Sequence, residues 1–362
     1  MAAPAMPASF ADITPQWLTQ ALRATETIKT SSVTGCEKEI IGVGVGFMGQ
    51  LARCKLTYAS PEAGAPASVI VKLPAPAPEN RAIADLFNFY EVETSFYATL
   101  ADKTPLRTPA CYYSAFEPDG KKFVLVMEEI APSVADQVAG CNEAQAREAV
   151  RGLTKLHGKW WQNPELVTLK WLPWNNDPVR AGAVQMSYQM AWGPFAQIVG
   201  PMVPKEIIEL GEAFGPKVVA VLDKLAESPW TLVHADYRLD NLFFTGDNAL
   251  SVVDWQIISR GPAAFDLAYF MTGSVKPADR RAWETELLHE YHKSLEEGGV
   301  SNYSFEQLHE DYRRSVLFCF LYAVIIIGQM DISGERGQAL FQASLERTVT
   351  AIMELKAAEM LP

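Results

Sequence analysis

The hydrophobic periodicity of this 362-residue chain changes once. In residues 51–58, apolar Ala52, Cys54, Leu56 and Tyr58 alternate with Arg53, Lys55 and Thr57, the two-residue period of a half-buried strand. The runs VTGCEKEII, SVIVKLP, CYYSAF and KFVLVMEEI read as further strands between residues 33 and 130, the last two flanking the turn EPDGK. A short helix opened by Thr14 and Pro15 precedes them, and one helix over roughly 80–101 interrupts them. Beyond about residue 141 the period becomes helical: Asn142 caps a helix whose stripe carries Ala146, Ala149, Leu153, Leu156 and Trp160. Residues 162–204 read as irregular and aromatic. Helices resume over about 205–227, two short strands surround LVHADYRLDNLFF and SVVDW, and helices run to the end. The pattern predicts an α+β fold in two lobes. Residues 1–130 form an N-terminal helix and a β-rich lobe, and residues 131–362 a larger α-rich lobe.

Bulk properties exclude several classes. The net charge of −12 argues against a nucleic-acid partner, which calls for a basic patch. The five cysteines are scattered and include no CxxC pair, so they give neither a disulfide framework nor a zinc site. The longest apolar run, VLFCFLYAVIII at residues 316–327, is too short to span a bilayer and reads as a buried core helix. The N-terminal residues lack the basic and apolar regions of a secretory signal. The expectation is a cytoplasmic protein with no membrane or nucleic-acid partner.

GVGVGFMG, residues 42–49, invites a dinucleotide-binding reading, but that fingerprint needs a helix directly afterwards, and here a strand follows. No Gly-Lys-Ser/Thr follows either, so it is not a Walker A loop. What fits is a glycine-rich hairpin whose backbone N–H groups, around Gly44, Gly46, Phe47, Met48 and Gly49, can approach phosphates. A hairpin with no ligand fits the same residues.

Lys72 stands in an otherwise apolar strand, where a lysine either snorkels at an edge or meets an anion. On the next helix Phe89, Phe96 and Leu100 form an apolar stripe, and Glu93 falls on it, whereas Glu91 falls nearly opposite. An inward acid one connection after an inward lysine predicts an ion pair between Lys72 and Glu93, with the lysine presented to nucleotide phosphates.

In residues 232–244, His234, Asp236, Arg238, Asp240 and Asn241 lie between two apolar runs, and Asp254 ends the next apolar strand. A solvated turn and a catalytic loop both fit this arrangement. Asn241 and Asp254 are oxygen donors suited to Mg²⁺, which takes a few such ligands plus phosphate oxygens. Asp236 is then free to orient a hydroxyl and accept its proton.

His234, Asp236 and Asn241, followed by Asp254-Trp255-Gln256, resemble the catalytic loop and metal motif of the aminoglycoside phosphotransferase and choline kinase-like family, small-molecule relatives of the protein kinases. The glycine hairpin, Lys72, Glu93 and the connection Met127-Glu128-Glu129-Ile130 occur in the matching order, so the resemblance covers about residues 30–275. LHGKWW at 156–161 and the DWQ triplet look most like the ecdysteroid-kinase-like branch. The resemblance implies a kinase-like fold, a cleft holding ATP under residues 42–49 and backbone contacts to the base near Glu128 and Ile130. It also implies that Asp266, in GPAAFDLAYF, braces the catalytic loop. His234 is expected to anchor that loop. DWQ in place of DFG, with no long activation segment, departs from the protein kinases.

The function so implied is Mg-ATP-dependent transfer of a γ-phosphoryl group to a small alcohol, the bulkier and more apolar kind leading. The alternatives are an aminoglycoside, choline or amino-alcohol kinase, or a non-catalytic nucleotide-binding scaffold. Residues 1–130 carry 11 basic and 14 acidic residues, a net of −3, and the remainder a net of −9. An acidic large lobe suits a cationic acceptor or plain solubility. Some of the rings between Trp160 and Phe195 belong to the core, and others could line an acceptor pocket.

Overall fold

A computed structural model describes residues 4–42, 48–119, 121–131, 133, 135–245, 249–329 and 334–362. The chain divides into two compact units, one of residues 1–131 with 253–257, the other of residues 132–252 with 258–362. The sequence-based division kept all of 131–362 together; the short segment carrying Asp254 instead belongs to the first unit.

The first unit opens with helix α1 (Pro15–Ala24), where the Thr14 hydroxyl accepts the Trp17 N–H at 3.1 Å and Pro15 occupies the first turn. Strands β1 (Val33–Ile41), β2 (Gly49–Tyr58) and β3 (Ser68–Pro74), helices α2 (Pro78–Leu86) and α3 (Phe89–Thr99), and strands β4 (Cys111–Glu117) and β5 (Lys122–Glu128) follow. The five strands form one antiparallel sheet in the order β1-β2-β3-β5-β4. The two-residue period sorts its faces. Ala52, Cys54, Val69, Val71, Leu73, Val124 and Val126 share a core with Trp17, Leu18 and Leu22 of α1. Lys72 therefore points to the other face, as do Phe123 and Leu125; α3 packs on β5, and Tyr90 stacks on Phe123 with centroids 4.3 Å apart. The single helix expected over roughly 80–101 is two, α2 and α3, separated at Asn88, whose φ of 54° ends the helical run.

The second unit holds α4 (Glu143–Trp160), α5 (Pro164–Thr168), α6 (Pro178–Val199), α7 (Lys205–Phe214) and α8 (Val218–Ala226), then strands β6 (Trp230–Val233), β7 (Leu242–Phe244), β8 (Leu250–Val252) and β9 (Ser259–Pro262). It closes with α9 (Ala264–Ser274), α10 (Pro277–Glu297), α11 (Phe305–Gln329) and α12 (Glu335–Glu354). β6 pairs with β9 and β7 with β8, both antiparallel. Asn142 and Gln145 cap α4 reciprocally. The irregular stretch expected over 162–204 is largely the 22-residue helix α6. Two glycines and Pro194 interrupt its sequence, and its residues have no polar–apolar periodicity, which hid it. α6 packs against α11 so closely that a Cβ at Gly328 would fall 2.3 Å from the Ala191 carbonyl oxygen. Trp160, Tyr188 and Phe195 are fully buried, so these three rings are core. Among the described residues, no helix is long and apolar enough to cross a membrane.

Candidate active site

The candidate side chains fall into two sets, one in each unit. In the first, the Lys72 ammonium donates to Glu93 Oε1 at 2.9 Å and to Asp254 Oδ1 at 2.7 Å. Lys72 and Glu93 are almost wholly buried, while the Asp254 side chain keeps 27% of its surface exposed. Burial alone would drive a lysine toward its neutral form, but the Asp254 and Glu93 carboxylates outweigh it and hold the ammonium above its ordinary value. The set has two acids for one cation. Burial pushes Glu93 up to about 7; Lys72 opposes the shift and Asp254 adds to it.

The backbone explains the geometry. Gly49 lies beside Lys72, and a Cβ there would fall 3.1 Å from Lys72 Cε, so glycine makes room for the lysine stem. Asp254 adopts a left-handed φ of 64°, and next to it Trp255 stacks on Phe96 of α3, centroids 4.2 Å apart and planes 7° apart. The Trp255 backbone also hydrogen-bonds Glu93. One helix thus fixes both the acid that holds Lys72 and the ring beside Asp254. Gly44, Gly46 and Phe47 of the glycine loop lie outside the described residues, whereas Met48 and Gly49 lead into β2. The Glu128 N–H donates to the Ala110 carbonyl at 2.8 Å and its carboxylate pairs with Arg107 at 2.6 Å. The Glu128 N–H and carboxylate are thus both engaged within the first unit.

In the second unit, β6 feeds directly into the loop bearing the other set. Asp266, fully buried in the first turn of α9, accepts the His234 N–H at 2.7 Å and the Ala235 N–H at 2.8 Å. His157 of α4 reaches the same carboxylate at 3.2 Å, and its other ring nitrogen meets the Tyr291 hydroxyl at 2.7 Å. His234 is fully buried, and its Nδ1 accepts the Asp236 N–H at 3.3 Å, an anchoring contact. Further along, Ser274 Oγ accepts the Leu239 N–H at 3.1 Å and Gln137 Oε1 the Asp240 N–H at 3.3 Å.

These bonds present Asp236. Its Oδ2 accepts from Asn241 Nδ2 at 2.8 Å; its Oδ1 accepts from Arg238 Nε at 3.1 Å and the Tyr269 hydroxyl at 3.0 Å. Arg238 also pairs with Asp240 at 2.5 Å. Burial disfavours the guanidinium charge, but Asp236 and Asp240 more than compensate and keep it well above its ordinary value. Arg238 and Asp240 are thus bound to one another. Tyr269 was missed altogether. Its signal was its place one helical turn after Asp266, which aims both side chains at the same loop.

Comparison with known proteins agrees with this architecture. A solved Plasmodium vivax ethanolamine kinase superposes with a TM-score of 0.54 at 16% identity, covering 89% of this chain and 83% of that one. A wild-type aminoglycoside 2'-phosphotransferase-IIIa in its GDP complex gives 0.52 at 15% identity, covering 91% and 94%. A Caenorhabditis elegans protein described as uncharacterized kinase-like protein D1044.1 is 23% identical over 213 residues. That match takes in 57% of this chain and 56% of the relative, little more than half the length of each. Residues 217–354 match the family model DUF1679, described as uncharacterized oxidoreductase dhs-27. That stretch includes Asp236, Asn241, Asp254 and Asp266.

Proposed function

We propose that this chain, whose kinase-like fold is that of the aminoglycoside phosphotransferases and the choline and ethanolamine kinases, transfers the γ-phosphoryl group of ATP to a hydroxyl of a small molecule. The family model and the C. elegans relative fit the ecdysteroid-kinase-like branch, which favours a bulky, apolar alcohol as acceptor. The observation that carries the reading is the buried ammonium of Lys72 held by Glu93 and by the partly exposed Asp254. A cation kept charged beside an accessible carboxylate is suited to phosphate oxygens and their metal.

Asp254 and Asn241 would hold Mg²⁺. Their chemistry fits: both offer hard oxygens, and Asn241 spends its Nδ2 on Asp236, which leaves its amide oxygen for a ligand role. When bound, the ion neutralises charge on the transferring phosphoryl group. Lys72 binds phosphate oxygens, Glu93 fixes Lys72, and Asp236 orients the acceptor hydroxyl and takes its proton. Asp266 and His234 keep the loop in place. A dinucleotide-dependent oxidoreductase does not fit residues 217–354: among the described residues β6 with β9 and β7 with β8 pair antiparallel, whereas a dinucleotide-binding βαβ unit is parallel.

Titration calorimetry tests the reading. Mg-ATP is expected to bind the wild type and to bind Lys72→Met at least about tenfold more weakly, one charge-assisted contact having been lost. Equal affinities would overturn the assignment of Lys72. Mg-GTP titrated alongside decides the preferred base.

A further inference from the structure

The two carboxylate oxygens of Asp236 are not equivalent. Oδ1 accepts two donors, Arg238 Nε at 3.1 Å and the Tyr269 hydroxyl at 3.0 Å. Oδ2 accepts one, Asn241 Nδ2 at 2.8 Å. A carboxylate oxygen offers about two lone-pair positions, so Oδ1 is filled by the protein itself and Oδ2 keeps one position open. The two donors on Oδ1 are themselves held. Arg238 is tied to Asp240. The Tyr269 ring stacks on Phe265 at 6.0 Å and meets the edge of Tyr322 at 5.1 Å, so its hydroxyl is aimed by packing on both sides.

We propose that Tyr269 is a positioning residue for phosphoryl transfer, locking Oδ1 of Asp236 together with Arg238 so that Oδ2 alone receives the acceptor. The inference rests on the phosphotransferase reading and adds to it which atom acts. The acceptor O–H bond breaks and its proton passes to Oδ2. The freed oxygen pair forms the new O–P bond, and the bond from the γ-phosphorus to its bridging oxygen breaks with its electrons leaving on the nucleoside diphosphate. A carboxylate pinned at one oxygen cannot rotate that other oxygen away from the acceptor, so the gain is in orientation. Tyr269 touches Asp236 and acts through it.

The test reads Asp236 first without nucleotide or acceptor. Protein labelled with isotopic carbon at aspartate carboxyls is examined by infrared spectroscopy, and subtraction of the Asp236→Asn spectrum isolates the Asp236 carboxylate band. Tyr269→Phe, which keeps the ring packing and removes the hydroxyl, is expected to shift that band. Tyr322→Phe, which keeps the ring against Tyr269 and removes a hydroxyl that senses Asp236 electrostatically, is expected to shift it less. Turnover on pooled hydroxylated metabolites with Mg-ATP should fall about tenfold in Tyr269→Phe, with the KM for Mg-ATP unchanged and the melting temperature within about 2 °C of wild type. An unmoved band, or a moved band with unchanged kcat, would overturn the proposal. Absence of Mg-ATP binding by the wild type would instead overturn the phosphotransferase reading, and the infrared band separates the two failures.

Discussion

Asp266 holds Ala235 in a left-handed backbone conformation. The carboxylate accepts the Ala235 N–H at 2.8 Å while Ala235 sits at φ 66°, a region that costs a residue with a Cβ roughly 1–2 kcal/mol. The strain turns the chain sharply between β6 and Asp236. Glycine removes the steric cost but adds unfolded-state entropy of about 0.5–1 kcal/mol. Ala235→Gly is therefore expected to be neutral or to stabilise the fold by up to about 1 kcal/mol in denaturant unfolding. A loss of that size would mean that the conformation is not strained.

Removing the acceptor is a different matter. Asp266→Ala leaves the His234 and Ala235 N–H groups buried without their acceptor and takes a partner from His157. Each unsatisfied buried donor costs roughly 1–3 kcal/mol, so a loss of about 3 kcal/mol or more is expected. Asp266→Asn keeps one acceptor oxygen and should lose less. Equal stability of all three proteins in equilibrium unfolding would contradict the bracing role.

Glu93 gives the stability a pH dependence. Its folded carboxyl is raised from 4.5 to about 7 by burial, with Lys72 opposing and Asp254 adding. A raised carboxyl means that the native state keeps a proton which the unfolded chain releases. The contribution is full below the unfolded value and is lost as pH rises through the folded one. The melting temperature of the wild type relative to that of Glu93→Gln should thus fall between about pH 4.5 and 7. An identical slope in the two proteins would show that Glu93 does not titrate in this range.

The sequence exposed what depends on local pattern. Lys72 stood out as a charge in an otherwise apolar strand, and helical spacing put Glu93 on the inward stripe one connection later, so the pair could be read from the sequence. The break at Asn88 was not legible, because no glycine or proline stands there to mark it. α6 was hidden for the opposite reason: buried Ala181, Tyr188, Ala191 and Phe195 lie among other uncharged residues, and a helix with no polar face has no pattern to read. Within the candidate site, His234, Asp236 and Asn241 were visible because one short loop carries them. The second donor on Asp236 Oδ1 comes from Tyr269, 33 residues further on, and only the packing of α9 brings it there. The glycine loop drew attention in the sequence, yet Gly44, Gly46 and Phe47 fall outside the described residues.

The central claim is that Asp236 serves phosphoryl transfer to a hydroxyl. Wild type and Asp236→Asn would be incubated with Mg-ATP and a pool of sterols, amino alcohols and aminoglycosides, and mass spectrometry would follow any species that gains one phosphoryl group. The account predicts a product from the wild type, an apolar alcohol foremost, and none from Asp236→Asn although that variant still binds Mg-ATP. The same product at the same rate from both proteins, or none from a wild type that binds Mg-ATP, would contradict it.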